Sequence, residues 1–238
     1  MKVKLISYTK DAEYILIMSK QTRLESFGAD TLEMVKAKYT PESVLNELDY
    51  ISKTVPSSWE FVDYIFSIEG VSRAFTHQFV RTRTGSYAQQ TMRVTEMSEF
   101  DYVYDDALQG ENEEGKFIID ETLKHIKDGY KTMLDMGYKP EVARGILPTN
   151  ISTNIMAKFN LRAFSQLVAS RSGGRTQSEY QKVVKAMADE VIKVHPWAEK
   201  FIFPNGKNYW DDMEEFAKTL PDDKRWQLLK IVDKMKKR

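Results

Sequence analysis

Three arginines, Arg81, Arg83 and Arg93, fall within the stretch HQFVRTRTGSYAQQTMR (77–93), and no acidic residue separates them. Guanidinium groups at that density repel one another unless an anion lies between them. Each is a planar, permanently charged fork that matches phosphate oxygens, and a charge-assisted hydrogen bond contributes about 1.5–3 kcal/mol. Two or three converging forks would hold a mononucleotide phosphate. Gln89, Gln90 and Thr91 lie between the arginines and carry no charge. Such groups suit the neutral donor–acceptor edge of a base or a ring cofactor. The alternative is a solvated arginine face on an edge strand.

A second locus is NLRAFSQLVASRSGGRTQSEY (160–180), where Asn160, Arg162, Gln166 and Arg171 punctuate an otherwise apolar helix. A Gly-rich break follows. Thr176 and Glu179 have the spacing of a capping box for the next helix. Arg171, Arg175 and that helix N-terminus would face one loop, an anion-friendly arrangement. Here the alternative is an ordinary helix–loop–helix with its arginines in water. Arg144, in ARGILPTN, is a lone arginine before a loop, a setting that is usually structural. His77, His125 and His195 fit no metal-ligand spacing. Gly-x-Gly-x-x-Gly, a phosphate-binding loop and a Gly-x-Ser-x-Gly elbow are all missing from the sequence.

The elements that must position these residues follow from periodicity. VKLISYT reads as a first strand, and Asp11 caps a helix through about Arg23. TPESVLNELDYISKTV predicts a helix with Thr40 as N-cap, Pro41 at its first position, and Val44, Leu45, Leu48 and Ile51 on one face. Val62 to Ile68 alternates as a strand does, with Gly70 ending it. A short helix from Val71 to about Arg81 would put Arg73, His77 and Arg81 on one face. The chain then runs extended from Gly85 to Val94. Residues 111–115 read as a polar loop. Ile119, Leu123, Ile126, Tyr130 and Leu134 make an amphipathic helix stopped by Gly137 and Pro140. TNISTNIMAKFN is strand or loop. Helices are expected at about 161–170 and 176–194, with Pro196 ending the second. Trp197, Phe201 and Phe203 are expected in the core, and Asp105–Asp106 and Asp211–Asp212 as solvated or capping acids. Helices outnumber strands without repeated βαβ spacing, which predicts α+β.

The chain has 238 residues, 35 basic and 35 acidic, for a formal net charge of zero. That balance argues against general nucleic-acid binding. A chain of this length buries roughly 70% of its unfolded surface and needs no disulfide or metal staple. It contains no cysteine, which excludes a thiolate nucleophile and thiolate metal ligands. No apolar run approaches the ~20 residues of a membrane span. The N-terminus lacks a signal-peptide core with a cleavage site. A cytoplasmic protein with no membrane partner is expected.

Taken in order, these loci resemble the flavin-dependent thymidylate synthases. The signature of that family is Arg-His-Arg, seven residues, then Ser-x-Arg; here Arg81-Thr82-Arg83 is followed after seven residues by Thr91-Met92-Arg93. FSIEGVSRAFTHQFVR upstream, and ARGILP and NLRAFSQLVASR…TQSE downstream, are similar to the family's flanking segments, so the likeness spans roughly residues 40–203. It implies an antiparallel sheet flanked by helices over residues 1–203; the charged segment 204–238 extends past the likeness and reads from its own sequence as a helical C-terminal extension. The likeness also implies a homotetramer with active sites between subunits. The implied activity is that of a methyltransferase. Methylenetetrahydrofolate would supply carbon to dUMP, reduced FAD the hydride and NADPH the electrons. Methylation of UMP, hydroxymethylation of dUMP, or nucleotide binding without catalysis are the alternatives.

By the same resemblance, Gln78, Gln89, Gln90, Thr91, Met92, Arg93, Arg144 and Arg171 would surround the pyrimidine nucleotide. Arg93 and Arg144 would hold its phosphate, and Arg171 would act catalytically at the uracil carbonyl edge. Ser57, Arg81, Thr82, Arg83, Asn160, Arg162, Gln166 and Arg175 would contact FAD. The sequence departs from the family at its histidines. Thr82 replaces the middle histidine of the signature, Val55, Pro56 and Phe61 stand where histidines are usual upstream, and Arg175 replaces another on the Gly-rich loop. Threonine can neither stack on a flavin ring nor carry charge. The nucleotide arginines are all kept.

Overall fold

Tyr64, Phe66 and Ile68 are fully buried while Asp63, Ile65, Ser67 and Glu69 are only half-buried. This alternation belongs to a strand with one face on the core, β2 (Asp63–Ser72). The computed structural model describes residues 1–21, 31–94, 97, 100–105, 113–173, 176–204, 213, 216–217 and 219–236. It divides into two compact units, Met1–Ile202 and Phe203–Arg238.

In the first unit β2 pairs antiparallel with β1 (Lys2–Tyr8) on one side and β4 (Ser152–Asn160) on the other. β3 (Ser86–Gln89) pairs with the outer edge of β4, giving the order β1–β2–β4–β3. The ambiguous TNISTNIMAKFN is therefore mostly strand. Its alternation is plain once the partner is known: Thr153, Ile155, Ala157 and Phe159 are buried, and Asn154 and Met156 are exposed.

Helices cover the buried face. α1 (Ala12–Gln21), α2 (Leu32–Lys38) and α3 (Pro41–Thr54) precede a 3-10 turn, Pro56–Phe61. Thr40 caps α3 by accepting the Ser43 N–H, with Pro41 following, as the sequence predicts. Val44, Leu48 and Ile51 are buried, but Leu45 is 56% exposed. One residue is a rotation of about 100°, which carries Leu45 off the stripe. Asp11, at φ 55°, starts α1 with its backbone carbonyl, which accepts from Tyr14 and Ile15. The extension of that helix toward Arg23 lies outside the described residues.

Gly70 does not end β2. At φ +67° it forms a bulge between Ile68 and Val71, after which pairing resumes through Ser72; a Cβ is disfavoured at such an angle. The next helix, α4 (Arg73–Phe79), is thus shorter than the expected 71–81. Ser72 caps it by accepting the Phe75 N–H. Arg81 lies beyond its end, off the face shared by Arg73 and His77.

The long helix α5 (Glu113–Asp135) begins inside the expected polar loop. It ends in a Schellman motif: Gly137, at φ +86°, donates to Leu134, and Tyr138 donates to Met133. Ile119, Leu123 and Ile126 pack with Phe100, Ile151 and Met92 into a satellite core. α6 (Pro140–Ala143) runs into a 3-10 turn, Arg144–Ile146. α7 (Leu161–Arg171) and α8 (Ser178–Val194) match the expected helices within two residues. After Pro196 a 3-10 turn leads into α9 (Glu199–Ile202). Phe201 is buried, whereas Trp197 and Phe203 are half-buried. The second unit contains α10 (Asp222–Lys236). The class is α+β, an antiparallel sheet with helices. Among the described residues, no helix is long and apolar enough to cross a membrane.

The core closes around a histidine. His195 is 5% exposed, stacks on Trp197 at 4.9 Å, meets the Tyr8 ring edge-on, and shares a 3.0 Å hydrogen bond between its Nδ1 and the Tyr64 hydroxyl. Burial lowers its pKa from 6.5 to about 4. Between those values the unfolded chain binds the extra proton, so stability rises with pH across that window. Urea unfolding should therefore show stability present above pH 6.5 and lost as the pH falls through about 4. A His195→Gln variant should flatten that slope by up to one proton; an unchanged slope would clear His195 of the effect.

Candidate functional site

The register of β2 against β4 sets where each candidate residue goes. Asp63 faces Asn160 at one end of the pair and Ser72 faces Ser152 at the other. At about 3.3 Å per residue these ends are roughly 30 Å apart. Each central strand leads into a helix that its last residue caps, Ser72 for α4 and Asn160 for α7.

At the Asn160 end gather most of the residues expected to contact flavin. The Asn160 side-chain oxygen accepts from the Ala163 N–H at 2.8 Å, so it holds the helix start and leaves only its amide NH2 free. Arg162 bonds Glu60 at 2.6 Å, on the same 3-10 turn as Ser57. Gln166, one turn beyond Arg162, is exposed, as is Ser57. Ser86 pairs with Lys158, which brings the loop carrying Arg81, Thr82 and Arg83 to this end too. Tyr87 ties the loop down, with its hydroxyl 2.7 Å from the Thr82 carbonyl and 3.1 Å from that of Phe79. Gly85 makes the turn possible, because a Cβ there would lie 2.5 Å from the Phe159 ring. Arg81 and Arg83 are exposed, and among the described residues neither pairs with a carboxylate. Phe61 presents a ring that is 64% exposed. Arg175 lies outside the described residues.

At the Ser72 end the residues expected to surround the nucleotide form two groups. In the first, Arg93 pairs with Glu141 at 3.3 Å, three residues before Arg144. Thr91 accepts the Arg93 N–H, a local turn. The Met92 side chain belongs to the satellite core, which leaves its backbone for any ligand. Gln90 is held by Asn154 twice, through backbone and side chain, and its carbonyl accepts from Arg73 at 2.7 Å. Only the Gln90 amide NH2 remains uncommitted. Gln89 turns the other way, donating to Thr76 of α4 at 2.8 Å. Neighbours along an extended chain point to opposite sides, so Gln89 and Gln90 do not converge within one chain.

The second group sits at the start of α8. Gln78 donates to Gln177 at 3.0 Å. Arg171, at the end of α7, lies over the Tyr180 ring at 5.1 Å. Gln181 bonds the carbonyls of Gly173 and Thr176, which pins the connecting loop. The expected capping box does not form. Gln177, not Thr176, occupies the cap position, without a side-chain bond. Glu179 instead reaches across to the Ser72 N–H at 2.7 Å and its hydroxyl at 2.5 Å, a better-buried pair of donors.

Buried polar atoms without partners point to what is missing. Arg73 Nε, Arg171 Nε and the Tyr180 hydroxyl are all in this state. Native proteins leave few such atoms, and three of them fall at the Ser72 end. The sequence did not single out Gln177, Tyr180, Asn154 or Glu141 as partners of these residues, since each contact joins separate segments of the chain. Arg73 was visible only as a helix-face neighbour of His77.

Comparison with known proteins places the chain in a family. The family model described as "Thymidylate synthase complementing protein" matches residues 4–197. The flavin-dependent thymidylate synthase of Sulfolobus acidocaldarius is 32% identical over 223 residues, covering 93% of this chain and 84% of that protein. The one from Sulfurisphaera tokodaii is 32% identical, over 86% of this chain and 79% of its own length. Among solved structures, the flavin-dependent thymidylate synthase of Helicobacter pylori complexed with FAD and dUMP has a TM-score of 0.65 at 18% identity, covering 87% of this chain and 100% of that one. At that identity the likeness concerns the fold. The chain belongs to the thymidylate synthase complementing protein family, that of the flavin-dependent thymidylate synthases.

The cap that Asn160 makes is measurable. Asn160→Ala should cost about 1 kcal/mol in urea unfolding through loss of the cap, whereas Asn160→Asp should keep it. Equal losses in both variants would mean that the free amide, not the cap, stabilises the fold.

Proposed function

We propose that this protein catalyses the reductive methylation of dUMP to dTMP, with methylenetetrahydrofolate as carbon donor and NADPH as the source of electrons. When bound, FAD supplies the hydride. The observation that carries the reading is Arg171, a guanidinium fixed over Tyr180 with a buried Nε that has no partner. Without a thiol in the chain, the uracil ring must be polarised electrostatically. A cation held rigid at its carbonyl edge stabilises the negative charge that grows there on attack at the ring, and needs no reorganisation to do so.

The other roles follow from what each residue has left to give. Arg93 and Arg144 bind the nucleotide phosphate, with Arg93 exchanging its exposed pairing to Glu141 for the dianion. Gln78, Gln89, Gln90 and Thr91 orient the nucleotide with Met92 contributing backbone. Gln90 offers amide hydrogens and Gln89 its oxygen, since their other groups are bonded. FAD fits the donor set at the Asn160 end. Arg81 and Arg83, exposed and without carboxylate partners among the described residues, match a diphosphate. Ser57, Thr82, Asn160, Arg162 and Gln166 supply neutral and charged donors beside them, and Arg175, outside the described residues, is the remaining flavin contact. The exposed Phe61 ring offers an apolar wall where the family has histidine.

The active sites lie between subunits of a homotetramer. Two features support this. Gln89 and Gln90 part to opposite sides. The sheet face carrying Asn154 and Met156 also stays exposed in the single chain, Met156 by 46%.

Purified protein should be yellow, bleach with dithionite, and convert dUMP to a product heavier by one CH2 unit, a methyl group in place of a hydrogen, when given methylenetetrahydrofolate and NADPH. A methylated UMP or a hydroxymethyl product would replace the reading with a related one; a colourless protein that takes up no FAD would sink it. Arg171→Ala should reduce kcat/KM for dUMP at least about tenfold, the loss expected for a charge-assisted contact. Kinetics equal to wild type would remove Arg171 from the chemistry.

A further inference from the structure

Arg73, the first residue of α4, takes part in more bonds at the Ser72 end than any role in the helix requires. Its Nη2 donates to the Gln90 carbonyl at 2.7 Å. Its own carbonyl accepts from the Thr76 hydroxyl, which in turn accepts from Gln89. The Gln90 side chain leads on to Asn154, and Asn154 to the N–H of Gly70 in the β2 bulge. Gln90 thus hangs on the Arg73 guanidinium, and Gln89 on its backbone carbonyl through Thr76.

That arginine still has a donor to spare. Its Nε is buried without a partner. Burial first, and the charge of Arg144 second, lower its pKa. Among the described residues neither arginine pairs with a carboxylate, and Glu141 pairs with Arg93. Two like charges partly withdrawn from water are unfavourable until an anion lies between them.

We propose that Arg73 is a further anion-binding residue, which grips the substrate's phosphate together with Arg144 while its Nη2 keeps Gln90 in place. The inference rests on the nucleotide reading above and extends it to a residue outside the family signature. The phosphate dianion would accept from the free Nε side of Arg73, relieve the repulsion with Arg144, and complete a three-arginine cradle with Arg93.

The test separates a phosphate contact from a merely structural one. Flavin-loaded wild type and Arg73→Gln are titrated calorimetrically with dUMP and, at millimolar concentration, with deoxyuridine, which lacks the phosphate. Arg73→Gln should weaken dUMP at least about tenfold, the size of a lost charge-assisted bond, and change deoxyuridine by less than about twofold. Equal weakening of both ligands would mean that Arg73 only positions Gln90, and no change in either would remove it from the site; both results overturn the proposal. Should Arg73→Gln fail to fold, Arg73→Lys keeps the charge, cannot serve Gln90 and a phosphate together, and reads the same ratio. If wild type holds FAD but takes up no dUMP, the nucleotide reading fails and this inference with it.

Discussion

The hydrogen-bonded register between β2 and β4 is the constraint on which the rest depends. It puts Tyr64, Phe66, Ile155 and Phe159 on one face, where they meet Phe164 and Phe79. A slip of one residue would turn every one of these rings to the other face. The same register fixes which end of the sheet each helix starts from. α7 begins at the Asn160 end and runs about 16 Å back, which carries Arg171 to Tyr180. α4 begins at the Ser72 end and runs the opposite way, which delivers Arg81 and Arg83 to the Asn160 end. The two candidate sets are therefore separated and connected by one pair of strands.

The second organising fact is charge left without counter-charge. The chain is neutral as a whole, with 35 basic and 35 acidic residues. Many of its cations are paired, as in Lys158–Asp63, Arg162–Glu60 and Lys200–Asp49. Arg81 and Arg83 of the signature depart from that habit, since among the described residues neither pairs with a carboxylate. Exposed pairs contribute only about 0–1 kcal/mol, so a carboxylate such as Glu141 beside Arg93 is easily given up to a phosphate dianion. Partners of that kind hold an arginine in place without competing strongly for it.

Much of the fold was legible in the sequence because local rules govern it. The Thr40–Pro41 start of α3, the Gly137 stop of α5 and the apolar stripe of α8 each depend on residues within a few positions. The failures share a cause as well. The capping box at Thr176–Glu179 is a sound local pattern, but Ser72, 107 residues away in sequence, offers Glu179 a more sheltered pair of donors. Gly70 looks like a strand end until β4 supplies a partner that takes up the bulge. TNISTNIMAKFN has no decisive period of its own, and becomes a strand because β2 and β3 flank it.

For the site, the sequence by itself determined residue types and order: the spaced arginines, the neutral amides between them, the missing thiol and the missing histidines. These are chemical facts that need no coordinates, since a guanidinium is a guanidinium wherever it lies. Tertiary structure alone decided which of them have donors to spare. Asn160 is spent on a helix cap, Met92 on a core, and one side of Gln90 on Asn154, while Arg73 and Arg171 keep buried, unanswered N–H groups. Availability depends on partners brought together by strand register and helix direction, and those long-range pairings are not written in any short window of the chain.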